Sequence, residues 1–267
     1  MANTKDAQAL GFNLVVALIA SVFFTFVVLV LLALAATTSF HEFWLQVRSP
    51  VVFSAIRISL HTSLAVVCLA FFLGLPIAYL LALNDFKGKV LLDTLLDLPI
   101  VMPPLVSGLA LLVLLGGEGL VGGWLSRWHI DLIFTKKGII LAQFFVAAPF
   151  FIKTVRESIA AIPKNLLAAS ATLNASPLFT FTHLILPLSK KGIWAGLVMT
   201  WARALGEFGA TSMVAGCIPE QTETMTVSIY MQAMSGGLET ATAIALILMV
   251  FSFVFLLIVK AGFGDRK

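Results

Sequence analysis

Residues 14–36 run for 23 positions without a single charge. A helix needs about 20 mostly apolar residues to cross a bilayer, where every backbone N–H and C=O must be paired within the segment itself. Five further stretches have this character. Residues 64–83 give 20 uncharged positions interrupted only by Gly74 and Pro76, and residues 98–115 give 18 that begin around Pro99, Pro103 and Pro104. Residues 138–152 form a shorter run holding Gln143 and Pro149, residues 192–216 carry Arg203 and Glu207 in their middle, and residues 241–259 close the set with 19 uncharged positions. The pattern predicts an all-α integral membrane protein with about six transmembrane helices. The first run is longer than the 7–15 residues of a secretory signal core, so it is expected to be a retained membrane helix although Lys5 precedes it.

Composition agrees. Of 267 residues, 60% are hydrophobic and 11% charged, where a soluble domain carries about 25% charged. Too little charge is present to solvate a water-soluble monomer, and the balance is the reverse of that in disordered chains. Two cysteines, Cys68 and Cys217, exclude a disulfide-rich scaffold. Cys68 lies within an apolar run and reads as a small buried hydrophobe.

Lys and Arg distribute unevenly between alternate loops. One side collects Lys5, Lys87, Lys89, Lys153, Arg156, Lys164, Lys190, Lys191, Lys260, Arg266 and Lys267, and the other only Arg48, Arg127, Lys136 and Lys137. Eleven against four predicts both termini in the cytoplasm. The formal charge of +4 then reflects orientation and contact with lipid headgroups, and no nucleic-acid partner is expected. The expected divisions are a cytoplasmic N-terminus (1–13), the first helix (14–36), a transmembrane domain (52–260) and a cytoplasmic tail (261–267). On the outer side, five glycines accompany Trp124 and Trp128 between 116 and 137, and residues 225–234 predict a short helix at the outer surface.

The longest cytoplasmic piece, 153–191, contains the segment IPKNLLAASATLNASPLFTFTHLILPLSKKGI at 162–193. Pro163 suits a first helical turn, where its missing N–H has no partner to lose. A helix of about two turns follows to Leu173. Asn174 tolerates the left-handed conformation common after a helix end, and Pro177 stops any continuation. Leu166, Leu173, Phe179 and Phe181 give this piece an apolar surface. On pattern alone that surface serves either a partner or an ordinary loop folded onto the membrane face.

This segment resembles the cytoplasmic signature of ABC-importer permeases, a Glu-Ala-Ala group, a glycine and a later Leu-Pro pair. Ala168-Ala169-Ser170 stands at the first group, Asn174 at the glycine and Leu186-Pro187 at the pair, with Leu173, Ser176 and Pro177 also matching. The resemblance implies the importer permease fold and a coupling helix that docks on a cytoplasmic ATPase. Two departures are Ala168, where the family has an acidic residue, and Asn174 in place of glycine.

Residues 201–219, WARALGEFGATSMVAGCIP, put Arg203, Glu207 and Thr211 four apart on one helical stripe and Ala202, Gly206 and Ala210 on the next. The second stripe is the small-xxx-small pattern of close helix packing. Intramembrane charges are costly and are usually paired, so Arg203 and Glu207 are expected to neutralise each other, contact with cargo being the alternative. The run from Arg203 through Gly206, Glu207, Gly209, Thr211 and Ser212 is similar to molybdate permease subunits. Sulfate permeases share its Gly-Glu-Phe-Gly core and tungstate permeases parts of the Thr222/Thr224 continuation. A tetrahedral dianion needs hydrogen-bond donors along its path. A broken helix start at Pro103-Pro104-Leu105-Val106-Ser107-Gly108 would present backbone N–H groups, and Thr211 and Ser212 would add hydroxyls.

No metal-ligand spacing links His41, His61, His129 and His183, and no phosphate-binding G-x-x-x-x-G-K-[ST] loop occurs. An enzyme is therefore not expected, and this chain is expected to bind no cofactor. The resemblance implies a homodimeric permease in a prokaryotic inner membrane, a pair of ATPase subunits carrying ATP and Mg, and an extracytoplasmic oxyanion-binding protein. Molybdate is the expected cargo, with sulfate or tungstate as alternatives. A secondary anion transporter or channel is the reading from a different class, and it has no need of an ATPase dock.

Overall fold

The computed structural model describes residues 2–263, and all regular structure among them is helical. The chain runs α1 (Ala2–Ala36), α2 (Phe40–Val47), α3 (Pro50–Leu83), α4 (Lys89–Val101), α5 (Pro104–Leu115), α6 (Gly122–Ser126) and α7 (Lys136–Ala160). It continues through α8 (Lys164–Thr172), α9 (Pro177–Thr180), a π-helical turn (Phe181–Ile185), α10 (Leu186–Leu205), α11 (Gly209–Ala215), α12 (Met225–Met234) and α13 (Leu238–Phe263). The last four positions of the expected tail, and Met1, lie outside the described residues.

Four helices are long and apolar enough to span: Ala9–Ala36 within α1, Pro50–Leu83, Lys136–Ala160 and Leu238–Val259. The bent pair α4 and α5 makes a fifth if it crosses as one span. Three expected segments differ in shape. Residues 98–115 are not one rod, because α4 and α5 meet at 114°. Pro103 and Pro104 supply no N–H, so the helical ladder ends with the Met102 N–H on the Leu98 carbonyl. The run that looked short, 138–152, is the middle of a 25-residue helix whose first turn is capped by the Thr135 hydroxyl accepting from the Gly138 N–H. Residues 192–216 are divided between α10 and α11.

The core forms where α3, α7 and α10 pack together. Phe151 of α7 is wholly buried between two glycines. A Cβ on Gly74 of α3 would stand 2.8 Å from one edge of its ring, and one on Gly196 of α10 would stand 3.1 Å from the other. In lipid, helices associate through such close packing rather than through release of water. Two glycine notches that admit one aromatic ring therefore set the spacing of three helices. Around this point Ala70, Leu75, Ala78, Ile152, Val155 and Ile193 belong to the same buried cluster.

A second cluster joins α5, α7 and α11 through Leu111, Leu115, Ala142, Val146, Ala210 and Val214. A third joins α3, α12 and α13 through Val52, Ala55, Met225 and Ile244. The short helix expected over 225–234 is present with those limits, its first turn tied to α3 by the Met225 N–H donating to Ser59 Oγ at 2.8 Å. Cys68 departs from expectation: it sits on an exposed face of α3 rather than in the core. Helix α1 keeps its apolar side chains exposed over 9–33, outside the clusters just described.

Candidate functional site

Two regions gather the residues singled out in the sequence. The first is the break between α10 and α11. Helix α10 ends at Leu205, and the Gly206 and Glu207 N–H groups close its last turn on the carbonyls of Ala202 and Ala204. Glu207 then turns back on the chain. Its Oε1 accepts from the Ala210 N–H at 2.8 Å, capping α11, while its Oε2 lies 2.6 Å from Arg203 Nη1. The carboxylate is 1% exposed and the Arg203 side chain 29%. A buried carboxylate of this kind must be paired and hydrogen-bonded, and here it has both. The expected neutralising pair is present, and the same carboxylate holds the break together. Thr226 Oγ1 donates to the Glu207 carbonyl at 2.8 Å, which ties the break to α12.

The break corrects both expected stripes. Thr211 belongs to a different helix from Arg203, so the three residues do not share one face. The second stripe is interrupted as well, because a Cβ on Gly206 would meet only the carbonyl of Ala202 in its own helix, at 3.4 Å. Close packing is made instead by Gly209 and Gly108. A Cβ on Gly209 would lie 2.8 Å from Pro104 Cβ and 3.1 Å from the Leu105 nitrogen, and one on Gly108 would lie 2.8 Å from Ala210 Cα. Helices α5 and α11 therefore run side by side in the same direction, in backbone contact from their first residues.

This contact also alters the expected donors at the start of α5. The N–H groups of Val106 and Ser107 both donate to the Pro103 carbonyl, and Gly209 of α11 lies against the Leu105 backbone nitrogen. The row of free backbone N–H groups is not on offer in this conformation. Ser212 donates its hydroxyl to the Gly209 carbonyl. Ser107 and Thr211 behave differently: both hydroxyls are buried with no hydrogen-bond partner among the described residues. Such a group costs about 1–3 kcal/mol.

Sequence reading did not single out Ser59 or Thr226. The signal was available in Ser54, Ser59, Thr62 and Ser63, polar residues preceding or opening an apolar run, all of them buried on α3. Between α11 and α12, burial pushes the Cys217 thiol above its ordinary value and the Glu223 carboxylate adds to the effect. A thiol kept protonated is a poor nucleophile.

The second region is the turn around α8. Pro163 precedes the first residue of α8, and the helix ends at Thr172, with Asn174 just beyond its Leu173 cap at φ 52°, the left-handed turn expected there. The Ala175 N–H reaches the Ser170 carbonyl and the Asn174 N–H the Ala171 carbonyl, the two bonds of a Schellman close. Pro177 does more than stop α8. It opens α9, whose cap is the Ser176 hydroxyl accepting from the Phe179 N–H at 3.2 Å. Ser170 Oγ and Thr180 Oγ1 lie 2.5 Å apart and join α8 to α9. The Leu186-Pro187 pair lies where the π-helical turn passes into α10, the Leu186 N–H bonding back to the Phe181 carbonyl.

Leu173 is 82% exposed, and Leu166 and Phe179 are also exposed. They border a cavity of about 590 Å³ with Ala169, Ser170 and His183, the His183 ring stacked on Phe179 at 4.2 Å. Ala168 and Ala169 face outward. Phe181 does not join this surface: it packs inward, edge to face with Tyr79 at 5.2 Å.

Comparison with known proteins adds three relatives and a fold. The family model of the binding-protein-dependent transport system inner membrane component matches residues 70–261. The chain is 39% identical over 213 residues to the probable transport system permease protein NifC of Clostridium pasteurianum, covering 79% of this chain and 73% of that one. It is 37% identical over 207 residues to the molybdenum transport system permease protein ModB of Haemophilus influenzae, covering 77% and 90%. It is 30% identical over 234 residues to the sulfate transport system permease protein CysT of Escherichia coli, covering 86% and 84%. Among solved structures, a bacterial ABC transporter importing the acidic polysaccharide alginate aligns with a TM-score of 0.72 at 18% identity, over 86% of this chain and 84% of that one. That likeness concerns the fold. The alginate transporter has also been crystallised in complex with a periplasmic protein that holds an alginate pentasaccharide.

Proposed function

The chain belongs to the binding-protein-dependent transport system inner membrane component family, as a membrane-spanning ABC-importer permease rather than an enzyme, and from that membership we propose that its cargo is molybdate. The observation that carries the reading is the exposed surface around the Schellman close at Asn174, with Leu166 and Leu173 turned outward. A surface of this kind suits docking on a cytoplasmic ATPase pair that binds ATP and Mg. The permease works as a homodimer with both termini in the cytoplasm and receives its anion from an external binding protein.

Molybdate is supported by relatives named as molybdenum or probable molybdenum permeases at 34–38% identity, against 30–32% for relatives named as sulfate or probable sulfate permeases. The α5–α11 contact lies on the pathway. Because Glu207 neutralises Arg203, the path holds no unpaired cation there that would trap a dianion. Separation of α5 from α11 during rigid-body alternation uncovers the hydroxyls of Ser107 and Thr211. They then solvate the passing anion weakly enough for it to leave.

The test is uptake of radiolabelled molybdate by cells expressing this chain with its ATPase and binding protein, challenged with excess tungstate or sulfate. Uptake that requires the ATPase and falls with tungstate but not sulfate is expected. Competition by sulfate keeps the importer and moves the cargo to sulfate. Uptake by this chain alone overturns the importer reading in favour of a secondary transporter.

A further inference from the structure

Two ion pairs join α4 to α7, and neither belongs to the regions described above. Asp93 pairs with Arg156, and Asp97 pairs with Lys153. The carboxylates are four residues apart on α4 and the cations three apart on α7, so each set lies on one helical face. The later carboxylate meets the earlier cation. The two helices therefore run antiparallel, and the C-terminal end of α4 points away from α8.

The surroundings give this pairing a mechanical position. Lys153 and Arg156 occupy the last two turns of α7, which ends at Ala160, three residues before Pro163 and the start of α8. Asp97 lies one turn before the break at Met102, beyond which α5 begins at an angle of 114°. In its own cluster α7 meets α5 through Leu111 and Leu115, the far half of that helix. The near half, from Pro104 to Gly108, packs on α11. The near end of α5 is thus joined to α7 through α4, and α4 is held by the two ion pairs to α7 and by Leu96, which packs on the core cluster. All four side chains are between 28% and 42% exposed, and pairs that exposed contribute little to stability. Two of them in register fix an angle and a height between helices, which a single pair on flexible stems does not.

We propose that Asp93, Asp97, Lys153 and Arg156 are positioning residues that carry movement of α8 to the pathway end of α5, with Met102-Pro103-Pro104 as the hinge. This deepens the importer reading and rests on it. Displacement of α8 moves the end of α7, the paired charges take α4 with it, and α4 swings the start of α5 against α11 about a joint that no helical hydrogen bond spans.

The experiment uses the whole transporter, permease with ATPase and binding protein, reconstituted in vesicles. Single reversals Asp93→Arg and Lys153→Asp are compared with the matched swaps Asp93→Arg/Arg156→Asp and Asp97→Lys/Lys153→Asp. Three quantities are read: ATPase retained on the permease, its basal hydrolysis, and molybdate or sulfate uptake per ATP consumed. Each single reversal is expected to keep the ATPase and its basal hydrolysis but lower uptake per ATP about five- to tenfold, the lower range of coupling between sites. Each swap is expected to restore it. Singles that transport at the normal ratio overturn the proposal, as do swaps that stay as defective as the singles. Should the reversals fail to insert, Asp93→Asn/Asp97→Asn removes the attraction without adding repulsion. It must show the same loss in uptake per ATP, and a normal ratio overturns the proposal. A wild-type complex without ATP-dependent uptake refutes the importer reading itself and is thereby distinguished from failure of the clamp.

Discussion

Glu207 Oε2 and Arg203 Nη1 stand 2.6 Å apart across the point where α10 gives way to α11. The same carboxylate caps α11 through the Ala210 N–H, so charge pairing and a chain break depend on one side chain.

Removing that side chain therefore has two costs. Glu207→Ala is expected to destabilise the purified protein by about 3 kcal/mol, the lower end for removing one partner of a buried pair, because Arg203 keeps some access to solvent. Glu207→Gln keeps an oxygen for the Ala210 N–H and loses only the charge, so its loss should be smaller. Thermal unfolding in detergent checks the order. Equal losses for both variants would show that the cap contributes nothing.

The glycines at the α5–α11 contact separate close packing from mere smallness. Gly108→Ala and Gly209→Ala place a methyl group within 2.8 Å of atoms in the other helix, and overpacking of this kind costs about 1–3 kcal/mol. Gly206→Ala meets only its own helix at 3.4 Å and should change stability by less than about 0.5 kcal/mol, as substitutions away from such features do. Unfolding midpoints and uptake are measured together. A Gly206 variant as damaged as the other two would restore the uninterrupted stripe that the structure breaks.

Ser107 and Thr211 allow a test in which stability and function move in opposite directions. Replacing an unpartnered buried hydroxyl with an apolar group of the same shape is neutral or stabilising. Ser107→Ala and Thr211→Val should therefore hold or raise the unfolding midpoint while lowering anion uptake several-fold. Undiminished uptake in both would remove these hydroxyls from the pathway.

Exposure separates Leu173 from Phe181. Leu173→Glu changes a side chain that is 82% exposed and should leave membrane insertion and unfolding unaffected while releasing the ATPase on co-purification. Phe181→Glu puts a charge against Tyr79 and the core and should destabilise the fold itself. Normal ATPase retention by the Leu173 variant would locate the dock elsewhere.

Much of the fold was legible because its causes are local. A 23-residue uncharged run can only be a helix in lipid, two adjacent prolines must end a ladder, and Asn174 accepts φ 52° because few other side chains tolerate it. The limits of α12, the exposed Leu173 and the Arg203–Glu207 pair belong to the same class, since spacing along a helix sets them. The break after Leu205 was not legible. Its sequence continues the helical pattern, and what stabilises the interruption is a carboxylate folding back on Ala210 with a hydroxyl arriving from Thr226.

Where the chain is apolar, where its backbone must turn and which charges are close neighbours all follow from a few consecutive residues and can be read along the chain. That Gly209 rather than Gly206 meets the next helix, that Phe151 locks between Gly74 and Gly196, and that Asp93 and Asp97 face Arg156 and Lys153 are outcomes of packing between distant segments. In lipid the hydrophobic faces of helices are nearly interchangeable. Which faces meet is therefore set by the fit of notches, rings and charges brought together from distant parts of the chain, and that fit exists only once the helices have crossed.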